Sequence, residues 1–182
     1  DIVDRTPYKK DVLRMLADAC RRQGIKLFFY HSQLDWHHQD YFPRGSTGLT
    51  AGRPESGEWY RYLDYMDAQL KELLTNYGPI GILWFDGGWE HNAAELHSAE
   101  VNALIRQLQP GILINDRNQL PEDYATPEQE IPSTGLPGVS WETCMTMATS
   151  WSYVATDTYK PAANLVHLLI DIVAKGGNLL LN

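Results

Sequence analysis

Positive charge is scarce in this sequence: Lys and Arg total 15 against 23 Asp and Glu, a formal net charge of −8. An acidic surface repels phosphate backbones, which excludes nucleic acid as a partner. Long apolar runs are lacking as well. No stretch reaches the roughly 18 residues that a spanning helix needs, so no segment is expected to cross a membrane. Cysteine is nearly absent, with Cys20 and Cys144 alone and no CxxC spacing. Cys20 falls in an apolar helical stripe and Cys144 follows an expected strand, so both read as buried thiols. The opening residues DIVDRTPYKKD hold no apolar core of a signal peptide and no initiator Met, so the true start is expected upstream. Internal repeats and low-complexity tracts are also missing. What is there is a chain of 182 residues with 43% hydrophobic content, enough for one globular core, and residues 1–182 read as a single domain.

The apolar residues alternate between two periods. Pro7 is expected to open a helix, in which Val12, Leu13, Leu16, Ala17 and Cys20 recur at helical spacing before Gly24 stops it. IKLFFYHS then reads as a buried strand ending near Tyr30. Residues 42–57, rich in Gly, Pro and Ser, form a long loop beyond it. A second helix carries Leu63, Met66, Leu70, Leu73 and Leu74, and IGILWFD is the next strand. A third helix carries Leu96, Val101, Leu104, Ile105 and Leu108, and GILIND follows as a strand. GVSWETC is a weaker strand. A last helix carries Leu165, Leu168, Leu169, Ile172 and Val173, and NLLLN begins a fifth strand. Wholly apolar strands separated by amphipathic helices indicate an α/β fold with a parallel sheet. A complete (β/α)8 barrel takes roughly 250 residues, about 30 per unit. Five strands here fit the later units of such a barrel, with the first three missing.

Polar groups gather where strands end. The first strand ends in Tyr30, His31 and Ser32, the second in Trp84, Phe85 and Asp86, the third in Asn115, Asp116 and Arg117, and the fourth in Trp141 and Glu142. In a barrel these ends converge on one face, which carries the active site. A carboxylate directly after ILWF is costly unless it is hydrogen-bonded or functional. Tryptophan faces stack on the apolar C–H faces of sugars, and a pair of carboxylates supplies nucleophile and acid/base for glycosidic cleavage. Asp86 is one of the pair; Glu128, Glu130 and Glu142 all remain open as the second. His37, His38 and Asp40 lie close together, but the spacing matches no zinc signature and adjacent histidines of an extended segment point apart, so no metal is expected. His91 and His97 read as surface residues.

At these residues the sequence resembles the α-L-fucosidases of glycoside hydrolase family 29. YGPIGILWFDGGW resembles that family's nucleophile strand and GILINDR its next strand; TPEQEIP, WETCMT, KGGNLLLN and YHSQLDWHHQDY are further segments of the same kind. The likeness runs over essentially the whole chain in the family's order. It implies a (β/α)8-like (TIM-type) catalytic barrel, of which about five parallel strands are present. It implies hydrolysis of terminal α-linked L-fucose with retention of configuration, with no cofactor and no metal. Asp86 is then the nucleophile. Tyr30 contacts sugar or nucleophile, Trp84 lines the fucose pocket, and Arg117 contacts substrate. Glu128 is the first choice for acid/base and Glu142 the second. Trp89 and Trp151 add apolar walls, and His37 borders the mouth.

Two departures stand out. The family's upstream stretch of consecutive histidines that holds fucose hydroxyls is absent, and its SWGY appears as Ser150-Trp151-Ser152-Tyr153. The resemblance therefore also allows a truncated, inactive carbohydrate-binding remnant. The expected partner is a fucosylated oligosaccharide or glycoconjugate. Two open sheet edges lead to the further expectation of self-association or of a missing N-terminal segment. The sequence does not fix the compartment; the family likeness is compatible with a secreted, periplasmic or lysosomal one.

Overall fold

The structure is a computed structural model in which residues 2–182 are described. They form two compact units, one ending at Leu120 and the other Pro121–Asn182.

In the first unit, α1 (Ile2–Arg5) precedes α2 (Val12–Gln23). The expected opening at Pro7 does not occur. Thr6 Oγ1 accepts the Tyr8 N–H in a turn, and α2 begins where the Asp11 carboxylate accepts the Arg14 N–H at 2.9 Å. A side-chain cap that satisfies an orphan N–H sets the boundary more firmly than proline's fixed φ. Gly24, at φ 67°, closes the helix in the left-handed conformation. Strands β1 (Phe28–Ser32), β2 (Ile82–Asp86) and β3 (Leu113–Ile114) are parallel and adjacent in chain order. They are joined through α3 (Trp59–Asn76) and α4 (Ser98–Leu108). Tyr30 is in register with Trp84, and Ser32 with Asp86. Leu96, expected within the third helix, is buried just ahead of it.

Strand alternation divides the sheet into two faces. Phe29, Leu83, Phe85 and Ile114 join one buried cluster with Leu63, Met66, Leu70 and Leu74 of α3 and Val101 and Ile105 of α4. Phe28, Tyr30, Trp84, Asp86 and Leu113 lie on the other face. There Phe28, Tyr30 and Leu113 are exposed while Trp84 is buried. β3 is short because its ladder continues through a side chain. The buried Asn115 accepts the Phe85 N–H at 2.8 Å and donates to the Phe85 carbonyl at 2.9 Å, pairing with β2 as a strand backbone would.

The second unit holds β4 (Glu142–Met145), α5 (Ala162–Ala174) and β5 (Asn178–Leu181), with β4 and β5 parallel. Ala125 and Glu128 bridge in parallel to Trp141 and Cys144 along β4. Glu142 was expected at the end of its strand and instead opens it. The strand runs over Glu142–Met145, later than the GVSWETC segment suggested. Of the apolar stripe on α5 only Ile172 is fully buried, while Val166, Ile170 and Val173 are exposed. Cys144 is buried, Cys20 half-buried, and the two are not joined in a disulfide. Among the described residues no helix is long and apolar enough to cross a membrane. The chain is α/β with parallel strands.

Candidate active site

Asp86 is the last residue of β2, and the strand pleat turns its side chain to the face that carries Tyr30 and Trp84. Each of its oxygens is taken by a donor. The Tyr30 hydroxyl donates to Oδ2 at 2.6 Å and Arg117 Nη1 donates to Oδ1 at 2.8 Å. The Asp86 and Arg117 side chains are each 18% exposed, so the ion pair is largely but not wholly dehydrated. Tyr30 stacks on Trp84 with ring centroids 5.7 Å apart, and the Arg117 guanidinium lies 4.5 Å from the Trp84 ring centre. Tyr30, Trp84 and Arg117 thus hold the carboxylate in one orientation on a flat aromatic floor. The bond from the Arg117 guanidinium is charge-assisted, the stronger class of hydrogen bond.

The chain must leave this position sharply. Gly87 adopts φ 79°, and a Cβ there would strike the Leu34 backbone nitrogen, so the loop after β1 lies directly on the turn after β2. Gln33 N–H donates to the Asp86 carbonyl at 2.7 Å and extends the β1–β2 pairing past the strand ends. Beneath the turn, the Gln33 side chain donates to Asn118 Oδ1, and Asn118 donates to Asn102 Oδ1 at 2.7 Å. Ser98, at the start of α4, donates to Asn118 Oδ1 as well. These side chains are buried, and each hydrogen bond replaces one lost to water.

Beyond Gly87 a 3-10 turn, Gly88–Glu90, presents Trp89 to solvent and sends Glu90 inward. Glu90 pairs with Arg53 in two hydrogen bonds of 2.9 and 2.7 Å; their side chains are 3% and 0% exposed. It also accepts the Gly45 N–H and both the N–H and hydroxyl of Thr47. Burial alone would raise this carboxyl, but Arg53, Thr47 and the two backbone donors outweigh it and hold it down at about 2. The loop of residues 42–57 is therefore fastened to the turn that follows Asp86. An aromatic cluster backs it. Tyr41 packs edge-on against Trp59, Tyr62 and His91, and His91 stacks on Trp59 with centroids 3.9 Å apart. His91, expected at the surface, is buried there because a neutral imidazole stacks as an aromatic ring. His97 is exposed.

His37 is exposed, with its N–H on Asp35, while His38 packs its ring against Tyr62 and Tyr65. Asp40 is buried and accepts the Glu58 N–H. The three side chains thus go to separate contacts. In the second unit Glu128 is exposed and bridges opposite Cys144, while Glu142, half-buried, shares its strand face with Cys144. Trp151 is 44% exposed. Of the residues singled out in the sequence, Asp86, Tyr30, Trp84 and Arg117 are brought into one constellation. Arg53, Glu90 and Asn118 were missed, and Asn115, placed at its strand end, had no role assigned to it. An acid two residues after GG and an Arg within a Gly-Pro loop carry no periodic signal, and only the repeated Asn of NDRN hints at a buried amide network.

The family model described as alpha-L-fucosidase matches residues 1–182. Among solved structures, the chain is 38% identical to alpha-L-fucosidase isoenzyme 1 from Paenibacillus thiaminolyticus, with a TM-score of 0.88 over 97% of this chain and 47% of that one. It is 28% identical, with a TM-score of 0.81, to a GH29 alpha-L-fucosidase from Bacteroides thetaiotaomicron trapped as a covalent intermediate with 2-fluoro-fucosyl fluoride; 98% of this chain and 45% of that one are covered. The alpha-L-fucosidase of Dictyostelium discoideum is 26% identical over 185 residues, covering 94% of this chain and 38% of the relative. The chain therefore spans less than half the length of these relatives.

Proposed function

The chain belongs to the alpha-L-fucosidase family, and we propose that it carries the nucleophile half of a retaining exo-glycosidase that removes terminal α-linked L-fucose from glycans or glycoconjugates. The observation that carries this reading is the Asp86 carboxylate, held by Tyr30 and Arg117 over Trp84 at the end of a parallel strand. The finer fold in this reading is a (β/α)8-like barrel, to which residues 1–182 contribute five parallel strands as part of one catalytic domain.

The reaction is a double displacement. An Asp86 oxygen attacks the anomeric carbon as the glycosidic C–O bond breaks, and a protonated glutamic acid gives its proton to the departing oxygen. The resulting glycosyl ester on Asp86 is then hydrolysed by water, from which the same glutamate, now a base, takes a proton. Two inversions restore the configuration. Glu128 is the preferred acid/base and Glu142 the second. The β4 register supports this order: Glu128 bridges opposite Cys144, two residues nearer the C-terminal end of the strand than Glu142. Catalytic groups of parallel α/β folds gather at those ends. Trp84 supplies an apolar floor for the sugar, and Trp89, Trp151 and His37 border the mouth.

Hydrolysis of p-nitrophenyl α-L-fucoside tests the reading. Asp86→Gly should lower turnover by about 10⁴-fold or more, with partial recovery on adding azide, which fills the vacated volume and attacks in place of the carboxylate. Undiminished turnover in Asp86→Gly would remove Asp86 from the mechanism.

A further inference from the structure

Gln33 reaches both halves of the Asp86–Arg117 ion pair from behind. It is the first residue past β1 and is fully buried. Its backbone N–H donates to the Asp86 carbonyl at 2.7 Å, which fixes the end of β2. Its side-chain amide donates to Asn118 Oδ1, and Asn118 is the neighbour of Arg117 in the 3-10 turn Asp116–Asn118. Its carbonyl accepts the hydroxyl of Tyr62, a buried residue of α3, at 2.6 Å. Gly88, two residues after Asp86, packs so closely that a Cβ there would lie 2.7 Å from Gln33 Oε1 and 2.9 Å from the Arg117 carbonyl. One residue is thus in contact with the ends of β1 and β2, with α3 and with the turn after β3.

The turn after β3 has two sides. Arg117 extends to the Asp86 carboxylate at 2.8 Å, while Asn118 is drawn into the interior, where its Oδ1 also accepts Ser98 Oγ at 3.2 Å and its amide donates to Asn102 Oδ1 at 2.7 Å. The turn ends on Gln119 at φ 60°, a left-handed conformation that a residue with a side chain keeps only where its surroundings hold it. Gln33 Oε1 has no hydrogen-bond partner among the described residues. For folding alone, an apolar side chain of equal length would fill the space without burying that acceptor. What the amide adds is a fixed direction for Asn118, and with it for Arg117. From this geometry we infer that Gln33 is a positioning residue for the nucleophile: acting through Asn118, it sets where the Arg117 guanidinium meets the Asp86 carboxylate. This inference rests on the fucosidase reading above and adds a residue that touches neither the sugar nor the reacting atoms.

Labelling with 2-deoxy-2-fluoro-α-L-fucosyl fluoride reads the attack itself, because an Asp86 oxygen bonds to the anomeric carbon as fluoride leaves. At saturating reagent its rate constant is independent of the fraction of protein that is folded, which sets only the final extent. Gln33→Met removes the amide and keeps the length of the side chain, and Asn118 Oδ1 retains its Ser98 donor. This variant should label to the same extent about tenfold more slowly, since a small misplacement of reacting groups is costly. In an Arg117→Ala background the same substitution should change the rate constant by less than about twofold, because the group that Gln33 positions is gone. Tyr62→Phe frees the Gln33 carbonyl and keeps the ring; it should slow labelling by roughly threefold and carries the test should Gln33→Met fold poorly. A merely structural role would lower the final extent and leave the rate constant alone. An unchanged rate constant in the folded variants, or equal slowing with and without Arg117, overturns the positioning role. An unsubstituted protein that takes up no label and hydrolyses no aryl fucoside instead overturns the fucosidase reading, and this inference with it.

Discussion

At the scale of single residues, the site is an exercise in dividing two carboxylate oxygens between two donors. Arg117 neutralises Oδ1 and Tyr30 holds Oδ2, and Tyr30 is also a stacking face for Trp84. Removing the hydroxyl alone separates these roles. Tyr30→Phe keeps the stack and frees one oxygen, and a hydrogen bond to a charged group contributes about 1.5–3 kcal/mol. The expected outcome is a fall in kcat/KM on an aryl fucoside of about 10- to 100-fold. Denaturant midpoints should barely move, because Tyr30 is 58% exposed. Unchanged kcat/KM would mean that the Tyr30–Asp86 bond serves only folding. All four members of this constellation were legible in the sequence, since each sits where a strand pattern stops and polarity begins. The clamp was not. Glu90 and Arg53 find each other across 37 positions, and nothing in the period of either segment announces the partner. His91 misled for a related reason: a histidine in a polar stretch reads as solvated until Trp59 covers it.

At the scale of elements, the sheet is held by one face, and that face contains a buried histidine. His31 points from β1 toward α3, shares a 3.3 Å hydrogen bond with Gln69, and packs edge-on against Phe85. Burial drives its pKa from 6.5 down to about 4, more than the Gln69 bond restores. The folded state therefore keeps His31 neutral, whereas the unfolded chain takes up a proton below about 6.5. More protons bound in the unfolded state means that stability is full above that value and is lost as pH falls toward 4. Urea unfolding at pH 7 and pH 5 should show a loss for the unsubstituted chain that exceeds the loss in His31→Phe by about 2 kcal/mol. This window lies above the range in which Glu90 titrates, from its ordinary 4.5 down to about 2, and His91 contributes alike to both proteins. Identical pH dependence in the two would show that His31 is hydrated or protonated in the folded state. The five strands and the central helices were readable from periodicity, because strand and helix repeats bury different positions. Boundaries were less so. α2 waits for the Asp11 cap rather than Pro7, and β3 is cut short because Asn115 completes the ladder with its side chain. In both cases a side chain does the work of the backbone, which periodicity cannot register.

At the scale of the whole molecule, the two carboxylic functions of the proposed mechanism fall in different compact units. Asp86 belongs to the first, and Glu128 and Glu142 to the second. The sequence resemblance had already set out the order of these segments along the chain. It did not reveal that Asp86, the proposed nucleophile, comes with its own orienting shell, complete within one unit. Tyr30, Trp84 and Arg117 fix Asp86 from β1, β2 and the turn after β3. A nucleophile so held can be charged with sugar even when its acid/base partner is disabled, provided the leaving group needs no proton. Mass spectrometry of the protein treated with 2-deoxy-2-fluoro-α-L-fucosyl fluoride, followed by peptide mapping, tests this most directly. The account predicts a single fluorofucosyl ester on Asp86, present also in Glu128→Gln. A label on any other residue, or turnover of the unfluorinated fluoride by a protein that never takes up the label at Asp86, would contradict it.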